Sequence, residues 1–191
     1  MKKPTARAIA KEQRKLATGL GAAVADKVDV PTAPHTLFTT LCDVMSERRG
    51  GRPVALLTRA FPEAMADTTG LWLDLRDQDV IVVEENLPPD HQLVVLGHEL
   101  WHMHAGHRGH DLGDAAVVAR AALSDRIQWA ELARHIAARS RSSQEDELAA
   151  EGFGLLLGSH MTRWLATPDT RQLDGVARRI GASLGYTGLQ G

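Results

Sequence analysis

Cysteine is almost missing from this chain: Cys42 is the single one in 191 residues. No intramolecular disulfide can form, a reducing compartment suits the protein, and Cys42 reads as a buried apolar residue. Long apolar runs are missing too. Nothing approaches the roughly eighteen residues that span a bilayer, and the N-terminal stretch lacks the apolar centre of a signal peptide. No membrane contact and a cytoplasmic location are therefore expected. Nor does charge of one sign dominate. With 22 Lys and Arg against 24 Asp and Glu, the net charge of -2 argues against wholesale nucleic-acid binding, and direct contact with nucleic acid is not expected. Aromatic residues, at 4%, say little about ligand preference.

What is present suits one globular domain: 43% hydrophobic and 24% charged residues, in a length able to bury one substantial core. The basic charge is unevenly placed, since all five lysines fall between Lys2 and Lys27. Lys2, Lys3, Arg7, Lys11, Arg14 and Lys15, with Ala8, Ile9, Leu16 and Leu20 interleaved, predict a basic helix, largely solvated, that could contact a partner, an acidic surface or nucleic acid. Gly19, Gly21 and the stretch from Ala22 to Ala25 loosen that pattern, and Pro31 to Pro34 predict a linker. Residues 1–30 are thus expected as a basic helix or arm and 31–191 as a single domain.

Beyond the linker, Leu37, Leu41, Val44 and Met45 fall at helical spacing between His35 and Glu47, and Arg48 to Gly51 supply stop signals. Pro53 to Thr58 reads as a strand. Gly70 to Leu75 and Asp79 to Glu84 flank Arg76-Asp77-Gln78 as a hairpin, for a sheet of about three strands, with Trp72 in the core. Met103 to Asp114 reads as a loop, Ala115 to Arg139 as one or two alanine-rich helices, and Thr170 to Leu184 as another.

The chemistry gathers on a helix that starts near Pro88 and Pro89 and runs through Leu93, Val94, Val95 and Leu96 into His98-Glu99-Leu100-Trp101-His102. Residues four apart share a helical face, so His98 and His102 can hold one tetrahedral zinc ion. Glu99, about 100° round the helix from His98, then stands where a general base belongs. The H-E-x-x-H pattern alone arises by chance in roughly one chain in fifty of this composition, so it needs a third ligand. Trp101 lies about 60° from His98 on the wheel and is expected to border the substrate pocket.

That ligand is expected from the acidic stretch opened by Ser143, which reads as a helix N-cap before an acidic first turn. On the helix that follows, Glu147 and Glu151 share a face with Ala150, Gly154 and Gly158, small residues that allow close approach to the metal helix. Glu147 is the expected ligand, with Glu145 and Asp146 as rivals. Glu151 is expected to hold a ligand histidine in the right tautomer.

His98-Glu99-Leu100-Trp101-His102, together with Glu147-Leu148-Ala149-Ala150 and the apolar Phe153 to Leu157, resembles the ImmA/IrrE metallopeptidase family and its E-x-x-A arrangement. Gly70-Leu71-Trp72, the strand from Asp79 to Glu84 and the pair His91-Gln92 add to the likeness, which covers residues 36 to 158. Trp101 stands where members of that family usually carry Gly, and Ala149 where many carry another acid. The resemblance implies an α+β, mainly helical, zincin-like fold with the small sheet beside the H-E-x-x-H helix, and Zn2+ on His98, His102 and Glu147. It further implies peptide-bond hydrolysis with Glu99 as base. It is nearest to short proteins described as the toxin or regulator component of a gene pair, which implies a helix-turn-helix DNA-binding protein as substrate or partner.

Two other readings stand beside the peptidase. One is a toxin–antitoxin or regulator component that docks a partner with little proteolysis. The other, a peptide deformylase, needs a Cys ligand in a Gly-Cys-Leu-Ser type motif, which Leu41-Cys42-Asp43 does not supply. His104, His107 and His110 read as a solvated loop, with a second metal site or a substrate rim as alternatives. Tyr186, the single tyrosine, lies outside the likeness, which leaves the oxyanion-stabilising group open between His107, His110 and His160.

Overall fold

The computed structural model describes residues 4–65, 67–75, 77–107 and 143–166. The expectations at 108–142 and 167–191, including His110, Tyr186 and the alanine-rich helices, lie outside the described residues. The described part is α+β, with four helices and one three-stranded sheet.

Helix α1 covers Ala6–Ala25, and Thr5 opens it by accepting the Ala8 N–H at 3.3 Å. It runs through the glycines that were expected to loosen it, because Leu16, Leu20 and Val24, four apart, form a fully buried stripe. Arg7, Lys11, Arg14 and Lys15 keep the opposite face exposed, so the helix is solvated on one side only. Helix α2 (Pro34–Arg48) begins on a proline whose missing N–H costs nothing at a helix start. The residues between α1 and α2 are pinned rather than free. Thr32 donates to the Trp164 carbonyl at 2.8 Å and accepts from Ala166 at 2.7 Å.

Strands β1 (Val54–Arg59), β2 (Gly70–Asp74) and β3 (Asp79–Glu84) form a sheet in the order β1-β3-β2. The predicted hairpin is there: β2 pairs antiparallel with β3, Trp72 opposite Ile81, while β1 pairs parallel with β3. Alternation sorts the two faces. Trp72, Ile81 and Val83 join the main core, whereas Leu71, Leu73, Val80 and Val82 gather on the other side with Ala55, Leu57 and Phe61.

Helix α3 (Pro89–Ala105) lies against β2 and β3, and α4 (Gln144–Met161) lies along α3. Leu93, Leu96, Leu100 and Met103 are the buried stripe of α3. Met103 to Ala105 had been expected in a loop, yet Met103 completes that stripe and its burial carries the helix on to the stop at Gly106. Phe153, Leu157 and Met161 of α4 and Leu37, Leu41 and Met45 of α2 close the same core. Burial of a side chain of this size contributes roughly 1.5–3 kcal/mol. No helix among the described residues is long and apolar enough to cross a membrane.

Candidate metal centre

Ser143 starts α4 with a reciprocal cap: its Oγ accepts the Asp146 N–H at 3.2 Å and its own N–H donates to Asp146 Oδ2 at 3.3 Å. One residue beyond Asp146, Glu147 projects toward α3. The two helices meet through glycine, as the small face of α4 had led one to expect. A Cβ on Gly154 would lie 2.5 Å from the Val94 carbonyl oxygen, and one on Gly158 would lie 2.7 Å from Val94 Cγ2.

This close approach brings His98, His102 and Glu147 together in an arrangement able to hold a metal ion. His98 Nε2 and His102 Nε2 are 3.0 Å apart, and Glu147 Oε2 lies 3.4 Å from the first and 3.6 Å from the second. A tetrahedral ion with bonds of about 2.0–2.1 Å needs donors about 3.3–3.4 Å apart, so the triangle has the right size. The rivals for the third position point elsewhere. Asp146 caps its helix and pairs with His107 at 3.3 Å, and Glu145 lines a groove on the α1 side of α4.

Burial favours the uncharged state of both imidazoles. It lowers the His98 pKa against the opposing charges of Glu147 and Glu151, and it takes His102 down to about 4, aided by His98 and His107 and opposed by Glu147 and Asp146. The lone pairs needed for ligation are thus retained at neutral pH. Glu99 is buried beside them. Burial pushes its carboxyl up to about 8, the Glu147 charge adds to the rise, and a hydrogen bond from the Trp72 backbone N–H opposes it. Room for that carboxyl comes from Gly70, where a Cβ would sit 2.8 Å from Glu99 Oε1.

A cleft of about 510 Å3 opens over these groups. Residues 67–70, which lead into β2, form one wall, and His98, Glu147, Glu151 and Leu155 form the other. Glu151 acts on His98 through its charge and makes no hydrogen bond to either histidine among the described residues. The expected role of tautomer-holding acceptor therefore does not fall to it. Trp101 does not border the cleft either. It is buried against α4, its ring 5.3 Å from Phe153 and 5.6 Å from His104.

Comparison with protein-family models, curated proteins and solved structures gives no match. The chemistry of the site rests on its own residues.

The histidines after the motif are not a common loop. His104 is helical and pairs with Glu12 of α1 at 3.2 Å, while His107 turns back so that its Nδ1 lies 3.0 Å from His102 Nδ1. Sequence reasoning missed this contact. Its signal was Gly106, a helix stop immediately before a histidine five residues beyond a ligand candidate. His91, His35 and His160 are exposed and take no part.

Proposed function

We propose that the protein is a zinc-dependent metallopeptidase with a zincin-like fold, of the ImmA/IrrE kind, acting in the cytoplasm on a protein partner. By that resemblance the partner is a helix-turn-helix DNA-binding protein. One observation carries the reading: Glu147, from a separate helix, completes a donor triangle with His98 and His102 whose longest edge is 3.6 Å, next to the buried carboxyl of Glu99.

Two imidazoles and one carboxylate suit zinc and leave its fourth position open. When bound, zinc supplies a Lewis acid that makes water acidic near neutrality and polarises a substrate carbonyl. Glu99 does the proton work. As the carboxylate, the form that a bound cation would favour, it takes a proton from the attacking water, and burial, which raises its pKa, helps it hold that proton until delivery to the leaving amine. His98 and His102, kept neutral by burial, would hold the ion through the nitrogens that face each other.

Substrate placement follows from the sheet. Strand β2 ends the order β1-β3-β2, so among the described residues one of its edges has no strand partner, and residues 67–70 lead along the cleft into it. An extended peptide laid there gains main-chain hydrogen bonds while its side chains meet the walls.

The test is cleavage of the partner protein by the zinc-loaded chain. Glu99→Gln is expected to keep zinc and lose site-specific cleavage by about 10^2–10^4-fold, as loss of a general base does. Equal cleavage by the variant overturns the role of Glu99. An intact partner that binds the wild type and Glu99→Gln equally, with no cleavage by either, assigns the site a docking role instead.

A further inference from the structure

The C-terminal end of α3 carries a hydrogen-bonded chain that the peptidase scheme leaves unused. Gly106 has φ 67°, and the N–H groups of Gly106 and His107 both return to the His102 carbonyl, the second at 3.1 Å. This left-handed turn folds His107 back over the last helical turn. His107 Nδ1 lies 3.0 Å from His102 Nδ1, and His107 Nε2 lies 3.3 Å from Asp146 Oδ1 on α4. Asp146 is itself fixed by the cap at Ser143, through Oδ2 and its backbone N–H.

Proton positions follow from the carboxylate end. Ionised Asp146 can only accept, so the His107 nitrogen that faces it, Nε2, carries the proton. In the neutral ring, with its one N–H at Nε2, His107 Nδ1 is a lone pair. The N–H between the two rings therefore belongs to His102 Nδ1. His102 Nε2 is then the bare nitrogen, and it is the one that faces His98 Nε2 at 3.0 Å and Glu147 Oε2 at 3.6 Å.

We propose that His107, braced by Asp146, is a positioning residue that locks His102 in its Nδ1–H tautomer and fixes the ring for metal binding. The inference rests on reading His98, His102 and Glu147 as the metal site. His107 stays outside that ligand set because it meets His102 at the nitrogen turned away from the triangle. Two helix-capping devices, the Gly106 turn ending α3 and the Ser143 box starting α4, thus hold the acceptor for a metal ligand as well as the helix ends. Partners of this kind commonly tune affinity by ten- to a hundredfold.

The experiment measures zinc affinity of the full chain by competition with a chromophoric chelator, alongside thermal unfolding of the metal-free forms. His107→Ala is expected to weaken zinc binding by about ten- to a hundredfold with little change in the metal-free Tm. His107→Gln, whose amide oxygen can accept from His102 Nδ1, is expected to restore much of the affinity. Nitrogen NMR of the zinc-loaded wild type should show His102 protonated at Nδ1. Affinity of His107→Ala within about twofold of wild type, well short of that range, overturns the proposal while Glu147-dependent zinc binding leaves the metal site standing. So does His102 protonated at Nε2, or an affinity loss in both variants that merely follows a loss of Tm. A wild-type chain that binds no zinc overturns both readings.

Discussion

Gly97 of α3 faces Gly154 of α4 so closely that a Cβ on Gly97 would lie 3.0 Å from the Gly154 Cα. Backbone therefore meets backbone next to His98, and the helix that bears Glu147 is held at the distance the donor triangle needs. Gly154→Ala puts a methyl group against the Val94 carbonyl oxygen, which cannot swing aside as a side chain can. Overpacking of this kind costs about 1–3 kcal/mol. The variant should unfold at lower temperature and bind zinc more weakly, although it replaces no ligand. Wild-type affinity in a destabilised Gly154→Ala would show that the helix contact does not place Glu147.

Glu147→Ala should lower zinc affinity by well over tenfold, since two imidazoles alone remain. Helix α4 should survive the change, because its cap belongs to Ser143 and Asp146 and its buried face to Phe153, Leu157 and Met161. Glu145→Ala, which removes a carboxylate on the α1 side of the same helix, serves as the control and should bind zinc as the wild type does. Chelator competition with both variants decides the ligand. Unchanged affinity in Glu147→Ala would move the assignment off this residue.

The parts of the site written in local spacing were legible in advance. His98 and His102 at four-residue spacing, the Ser143 cap and the hairpin of β2 and β3 each depend on a few neighbouring residues, and each stands where the pattern put it. The meeting of Glu147 with α3 was legible one level up, through Ala150, Gly154 and Gly158 on one face. What could not be read depends on which partner covers a given face. The wheel places Trp101 about 60° from His98, but only the docking of α4 shows that Phe153 takes the indole away from the cleft. His107 needs two such facts at once, the left-handed turn at Gly106 and the position of Asp146 on a helix distant in sequence. The parallel pairing of β1 with β3 likewise leaves no periodicity to read.

Asp79 predicts a link between sheet and metal helix. Fully buried at the start of β3, it accepts Trp72 Nε1 at 2.9 Å, Arg52 Nε at 2.8 Å and Arg49 Nη2 at 3.3 Å, while Arg49 Nη1 donates to the Met103 carbonyl of α3 at 2.8 Å. Asp79→Ala strands a buried indole N–H and takes a carboxylate from two guanidinium groups, although Arg49 keeps the Met103 carbonyl and Arg52 keeps Asp74 and the carbonyls of Leu75 and Gln78. Breaking a buried pair costs about 3–5 kcal/mol, and the lower end applies because each arginine side chain stays 28% exposed. Urea unfolding should show the loss. A cost below about 1 kcal/mol would mean that both arginines find equivalent acceptors.

Stability of the metal-free protein should carry the mark of Glu99. Its carboxyl is pushed up to about 8, whereas in the unfolded chain it titrates near 4.3. Between those values the native state holds a proton that the unfolded state has released, so this group's contribution is complete at low pH and is lost as pH rises toward about 8. His98 and His102 act in the opposite sense. Their lowered pKa values mean that the unfolded state binds more protons, so their part of the stability grows as pH rises toward about 6.5 and is then constant. The two effects separate above that point. In EDTA, urea unfolding of the wild type should weaken from about pH 6.5 to 8, whereas Glu99→Gln, which keeps both histidines and cannot ionise at this position, should stay level. Added zinc should remove the difference in slope, because a cation beside Glu99 favours its carboxylate. Parallel profiles for the two proteins in EDTA would mean that Glu99 is already ionised in the metal-free fold.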